Sequence, residues 1–103
     1  MAETPRTWFV LLHTRGPAIG EGQSVFEHPE ISEHYAFLQR RVAAGELVAA
    51  GPLPDEPGSG MTVLAVADLD TATRLATEDD RAVVGRVLQV RVRPWQVVMA
   101  RGD

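Results

Sequence analysis

A chain of 103 residues that is 45% hydrophobic and 23% charged has the composition of a globular protein, and we expect residues 1–103 to form a single domain. The net charge of -4 argues against a nucleic-acid partner, because nucleic-acid binding requires clustered positive charge. The chain has no cysteine and no lysine, which excludes thiolate nucleophiles, disulfides, cysteine-ligated zinc and a lysine Schiff base.

The first predicted element is a strand over residues 7–13, TWFVLLH. Both of its alternating faces are apolar, which is typical of a strand that is covered on both sides. The apolar run from Trp8 to Leu12 is too short for a signal peptide or a membrane span. We therefore expect a cytosolic protein with no membrane partner.

A loop over residues 14–29 and a helix come next. The loop is rich in glycine and proline, and loops of this length in small domains are usually functional or mobile. The helix is predicted to start after Pro29 and to stop at Gly45. His34 lies at the edge of its predicted apolar stripe. The stripe consists of Ile31, Tyr35, Leu38 and Val42.

A β-hairpin and a second helix follow. ELVAAGP and MTVLAVA, the latter over residues 61–67, are short strand patterns joined by the turn-rich segment LPDEPGSG. Asp68 or Asp70 is predicted to cap the next helix, which ends by about Asp79.

The last predicted strand region covers residues 85–100, after a turn or a single helical turn in DDRAVVG. Pro94 donates no hydrogen bond to a sheet, so it marks an edge, a bulge or a switch between two short strands. The order is then β-α-β-β-α-β with an optional fifth strand, the ferredoxin-like α+β plan. Both helices cover one face of such a sheet, and we expect a second subunit to cover the other.

Five segments of the chain form a pattern through their order and spacing: WFVLLH, EHYAFLQRRVAAGELVAAGPL, DEPGSGMTVL, LATEDDRAVVGRV and VRPWQVV. Together they resemble the YciI-like (YCII-related) family of small α+β proteins. The resemblance spans Trp8 to Val98. It implies a homodimer or higher homo-oligomer, in which two ferredoxin-like sheets pair face to face as a dimeric α/β barrel with a pocket between sheet and helices.

The resemblance also implies a catalytic histidine and aspartate, which correspond to His34 and Asp79. Relatives often have Asp-Pro followed by an aromatic residue where this chain has Asp79-Asp80-Arg81, so the choice between Asp79 and Asp80 stays open. A histidine at the edge of a helix stripe is otherwise typical of packing, and an acid before a helical turn is typical of a cap. If the two side chains meet, the carboxylate fixes the imidazole tautomer for general-base catalysis.

Further residues are candidates for substrate binding. Gly51 and Pro52 are typical of a strand end, although Gly51 also permits a ligand to approach the backbone. Ser59, between two glycines, offers hydroxyl and amide donors to an anion. Arg91 and Arg93 alternate along one strand face, where they either clamp a substrate carboxylate or form salt bridges across a dimer interface.

We expect no cofactor, since the chain has no phosphate-binding loop and no dinucleotide fingerprint. His13, His28 and His34 have no recognised metal-ligand spacing, so no metal is expected either. Two functions remain open. The first is a cofactor-free lyase, isomerase or dehydrohalogenase-like enzyme acting on a small, hydroxylated or ring compound, and the second is a non-catalytic module that binds a small ligand or a protein.

Overall fold

The structure is a computed structural model and describes residues 6–101. This part of the chain contains four antiparallel strands and three α-helices. The sheet has the strand order β2-β3-β1-β4. This order and the element sequence confirm the predicted ferredoxin-like α+β plan. The strands are β1 (Arg6–Arg15), β2 (Leu47–Pro52), β3 (Gly60–Leu64) and β4 (Leu88–Val97), and the helices are α1 (Ile31–Ala43), α2 (Leu69–Arg74) and α3 (Arg81–Val84).

Strand β1 lies in the centre of the sheet and pairs with both β3 and β4. Phe9, Leu11 and His13 alternate along it and are buried. Leu11 packs in a core cluster with residues of the helical layer, so these three side chains face the helices. The intervening residues of β1 face the other side of the sheet, and within the described chain no element covers that side.

Helix α1 has nearly the predicted extent, and Gly45 beyond its end adopts the left-handed conformation, with φ of 74°. The predicted stripe was wrong in two positions, since Tyr35 and Val42 are largely exposed. The inward face centres instead on Phe37, which is fully buried against Leu11 and Leu64. His34 lies one helical turn before Phe37 and therefore on the side that faces the sheet.

The hairpin and the second helix are confirmed. Strands β2 and β3 pair antiparallel, and the Asp68 carboxylate accepts a hydrogen bond of 2.8 Å from the Thr71 N–H, which makes it the cap of α2. The helix continues as a π-helical turn over Leu75–Asp79. The segment DDRAVVG contributes the single helical turn α3, with Asp80 as its N-cap.

Pro94 lies within β4, which is an edge strand of the sheet. It stands opposite Phe9, and the pairing with β1 continues on both sides of it. Of the three alternatives for Pro94, the edge position is the one observed, because an edge strand needs no second row of donors. Within residues 6–101 the last strand region forms one strand and no fifth.

The loop between β1 and α1 is packed against the body of the protein. It contains a 3-10 turn over Val25–Glu27. Its side chains Ile19 and Val25 are buried in a second core cluster together with Leu88, the first residue of β4, and Val87, which precedes it. The loop thus contributes to the core, and its 3-10 turn is held next to α1.

In the described part of the chain, none of the helices combines the length and the apolar composition that crossing a membrane requires. The cytosolic location stays a prediction.

Candidate active site

His34 and Asp80 form a hydrogen-bonded pair beneath the helical layer. Nδ1 of His34 lies 2.7 Å from Oδ2 of Asp80. The aspartate is fully buried, while 15% of the histidine side chain is exposed. An ionised carboxylate only accepts hydrogen bonds, so Nδ1 donates the proton and Nε2 of the neutral ring is left to accept one.

The backbone around Asp80 fixes the position of its carboxylate. Asp80 has extended dihedral angles and follows the π-helical turn directly. Its second oxygen, Oδ1, accepts a hydrogen bond of 3.0 Å from the Ala82 N–H at the start of α3. One carboxylate thus caps a helix and orients a histidine, which leaves it little freedom to rotate.

Asp79 points elsewhere, to the outer side of the helices. Its Oδ2 accepts hydrogen bonds of 3.2 Å from Nε of Arg40 and from Nη2 of Arg41. The structure therefore pairs His34 with Asp80 and not with Asp79, the residue that the resemblance indicated. The reason is local. Asp79 is the last residue of the π-helical turn, and the extended backbone at Asp80 directs the Asp80 side chain inward.

His13 is the site residue whose role the sequence did not indicate. It is 2% exposed, and its ring meets that of His34 edge-on with the centroids 4.7 Å apart. Nε2 of His13 lies 3.9 Å from Oδ2 of Asp80, and neither ring nitrogen has a hydrogen-bond partner among residues 6–101. The only sequence signal was its alternation with Phe9 and Leu11 on the inward face of β1.

Burial controls the protonation of His13. The pKa of His13 is lowered to about 4, mainly by the loss of hydration and also by the neighbouring imidazole of His34, while the Asp80 carboxylate opposes both effects. His13 is therefore neutral at pH 7 and presents one donor and one acceptor nitrogen.

An apolar cleft opens beside the two histidines, between α1, the 3-10 turn and the β2–β3 hairpin. The free space in the cleft and at its mouth is about 470 Å³, which includes open solvent. Three of the predicted substrate-binding residues line it, namely Gly51, Pro52 and Ser59. Phe26 and Tyr35, both about half exposed, also line it, so aromatic side chains are available to a ligand.

The two predicted arginines lie away from this cleft. Arg91 stands opposite Leu12 and Arg93 opposite Val10, so both project from the open face of the sheet. The structure does not bring them to His34. The alternative that they pair with acids of a partner subunit stays a prediction.

The three histidines lie at two separate positions in the fold. Nδ1 of His28 accepts a hydrogen bond of 3.1 Å from the Glu30 N–H near the start of α1. His13 and His34 instead group with Asp80, and one potential ligand atom from each of the three lies within 4.8 Å of the others. The arrangement suits two kinds of chemistry, proton transfer at His34 and metal coordination.

A family model described as YCII-related domain matches residues 8–96. The chain belongs to the YCII-related family. The matched region includes β2 and β3 in full and all of β1 and β4 except Arg6, Thr7 and Val97, and it contains the whole histidine–aspartate group. A comparison with curated proteins found no match.

Proposed function

We propose that this YCII-related protein is a small enzyme in which His34 is the general base and Asp80 orients it. The observation that carries the proposal is the 2.7 Å hydrogen bond between Nδ1 of His34 and the buried Asp80 carboxylate, beside an apolar cleft. A carboxylate in this position holds the imidazole in the tautomer with a free Nε2.

The proposed step is proton abstraction from a bound small molecule. Nε2 of His34 takes the proton, and the imidazolium that forms is stabilised by the negative charge of Asp80. The same nitrogen returns the proton to another atom of the intermediate or to a leaving group. Lyase, isomerase and dehydrohalogenase-like reactions all consist of such steps.

The lining of the cleft supports a substrate with an apolar body. Phe26 and Tyr35 offer flat apolar surfaces, and Leu38 and Pro52 add aliphatic ones. The polar groups lie at the histidine end and at Ser59. A ring compound or another compact organic molecule with one acidic C–H or O–H group fits this distribution.

Deuterium exchange tests proton abstraction without knowledge of the complete reaction. The protein is incubated in D₂O with a panel of hydroxylated and halogenated ring compounds and 2-oxo acids, and incorporation and products are followed by NMR and mass spectrometry. We expect His34→Gln to reduce the exchange rate of a responding compound by about 10²-fold or more, because the base is lost. Asp80→Asn should also reduce it, since an amide does not hold the tautomer.

Asp79→Asn is the matched control, because it changes the neighbouring carboxylate in the same way and leaves the His34 partner intact. Its rate should equal that of the wild type. A rate that falls with Asp79→Asn and not with Asp80→Asn would overturn the assigned pair. Compounds that bind, by NMR shifts of the cleft residues, but never exchange or react would favour the second candidate, a ligand-binding module, for which the apolar cleft is sufficient.

We further propose that the protein is a homodimer whose subunits meet through the open faces of their sheets. The support is apolar surface on the side without helices: Trp95 is 44% exposed and Met61 is 37% exposed, and Val10 and Leu12 lie between them on β1. Burying such a surface against a second copy removes it from water.

A further inference from the structure

His13 gives the candidate active site a feature that proton abstraction by His34 does not need. The side chain is buried, both ring nitrogens are without a hydrogen-bond partner among the described residues, and Nε2 lies 3.9 Å from the same carboxylate oxygen that His34 contacts. A buried polar group without a partner costs about 1–3 kcal/mol, so its persistence calls for a ligand. One potential ligand atom from each of His13, His34 and Asp80 thus lies within 4.8 Å of the other two.

We propose that His13, His34 and Asp80 bind a divalent transition-metal ion of the zinc type, with its remaining coordination positions directed to the cleft. The three side chains come from three separate elements, β1, α1 and the N-terminus of α3, which the fold fixes relative to one another. The proposal deepens the proposed function, because it uses the same two residues and adds His13 as the third ligand.

The distances between the donors are close to those of a metal site. Bonds of about 2.0–2.2 Å to nitrogen and oxygen place tetrahedral ligands about 3.3–3.5 Å from one another. The observed separations from Asp80 Oδ2 are 3.9 Å to His13 and 2.7 Å to His34. Binding therefore needs the His13 separation to shorten by about half an ångström and the His34 separation to lengthen by slightly more. The two ring nitrogens, which lie within 4.8 Å of each other, must also come into this range, and rotation of the two imidazole rings around the fixed Asp80 carboxylate would supply these shifts.

The donor set selects the class of metal. Two imidazoles and one carboxylate suit Zn²⁺, Co²⁺ and Ni²⁺, whereas Mg²⁺ and Ca²⁺ prefer oxygen ligands throughout. His13 is already neutral at pH 7, so it coordinates without first losing a proton to water. The ion replaces the proton that His34 shares with Asp80.

This replacement has a consequence for the proposed catalysis. A metal that occupies Nδ1 of His34 and the Asp80 carboxylate removes the hydrogen bond that orients the general base. Metal binding and proton abstraction by the pair then exclude each other, and Zn²⁺ acts as an inhibitor. That consequence depends on the proposed function, whereas the binding itself does not.

The test measures binding directly on untagged protein. Apo protein is titrated with Co²⁺ and Zn²⁺ by calorimetry, and Co²⁺ binding is followed by its visible absorption. At the same time, ¹H–¹⁵N spectra of the imidazole nitrogens are recorded during Zn²⁺ titration of the wild type. We expect one ion per chain, shifts of the His13 and His34 nitrogens, no shift at His28, and no response to Mg²⁺.

Variants identify the ligands. His13→Gln should weaken Zn²⁺ binding by about 100-fold or more, whereas His28→Gln, which removes a histidine outside the group, should leave it unchanged. The proposal is overturned if no ion binds, if only the His28 signals shift, or if His13→Gln binds like the wild type. Because the wild-type spectra assign the ligands by themselves, a variant that fails to fold does not obscure the result. No substrate is involved, so failure here leaves the proposed proton abstraction standing.

Discussion

At the scale of single residues, His13 makes the stability of the metal-free protein depend on pH. Its pKa is about 4 in the folded chain against 6.5 in the unfolded one, so between these values the unfolded state binds a proton that the folded state does not. The stabilising contribution is complete above pH 6.5 and is lost as the pH falls towards 4. Lowering the pH from 6.5 to 5 should reduce the free energy of unfolding by about 2 kcal/mol.

Urea unfolding in the presence of a chelator, at intervals between pH 7 and 5, measures this loss. The comparison is with His13→Gln, which retains every other titrating group, including His34 and Asp80. The difference in slope between the two proteins isolates His13 from the carboxylates, whose own loss of stability begins near the lower end of this range. Parallel curves would show that His13 takes up a proton as easily folded as unfolded.

The sequence predicted one half of the site and left the other half open. His34 was predicted from the resemblance, and its helix position one turn before Phe37 explains why it faces inward. The aspartate was ambiguous because neighbouring residues at a helix junction point in different directions, and the dihedral angles at Asp80 decide between them. The sequence places His13 on a strand and gives it no metal-ligand spacing with His28 and His34, since nothing in an alternating pattern says which inward residue meets a helix side chain.

At the scale of elements, the close approach of the β1–α1 loop to the α3–β4 connection requires glycine. Gly16 donates a hydrogen bond of 2.9 Å to the Val87 carbonyl. A Cβ at this position would lie 2.7 Å from the carbonyl carbon of Arg86 and 2.8 Å from that of Val87, which are backbone atoms that do not move aside. Gly16→Ala should therefore lower the free energy of unfolding by about 2 kcal/mol or more.

Gly51→Ala is the matched control in the same assay, urea unfolding at pH 7. A Cβ there meets no heavy atom within 4 Å in the described chain, so its effect should stay within about 0.5 kcal/mol. Equal stabilities of the two variants would mean that the loop moves away from Arg86 at little cost.

The order of strands and helices could be predicted from the sequence because residues that form turns or end helices lie between them, such as Pro29 and Gly45 around α1.

The π-helical turn is the element that the sequence did not predict. It follows α2 without a break, and its residues Leu75–Asp79 are ordinary helix formers apart from Thr77 and Asp79. A π turn differs from an α turn only in which carbonyl each N–H selects, so composition does not distinguish them. It bears directly on the candidate site, because it brings Asp80 rather than Asp79 to the start of α3.

At the scale of the whole molecule, the two faces of the sheet carry different groups of residues. The helical face carries the core, the cleft and the histidine–aspartate group. The open face carries Trp8 and Trp95, whose rings contact edge-on with centroids 5.8 Å apart, together with Arg91 and Arg93. A monomer of this size has too little core to leave a large apolar face in water, which is the physical reason to expect a partner.

Sedimentation velocity tests whether that partner is a second copy. The wild type should sediment as a dimer at micromolar concentration, and Trp95→Glu should shift it to a monomer, because it removes apolar contact area and places a charge in the interface. Val84→Glu introduces the same charge on α3, where Val84 is 54% exposed on the helical side, and should remain dimeric. A wild type that is monomeric at these concentrations would contradict the dimer. A dimer that Val84→Glu dissociates while Trp95→Glu does not would place the contact elsewhere. Retention of the wild-type circular dichroism spectrum in both variants ensures that dissociation, and not unfolding, is measured.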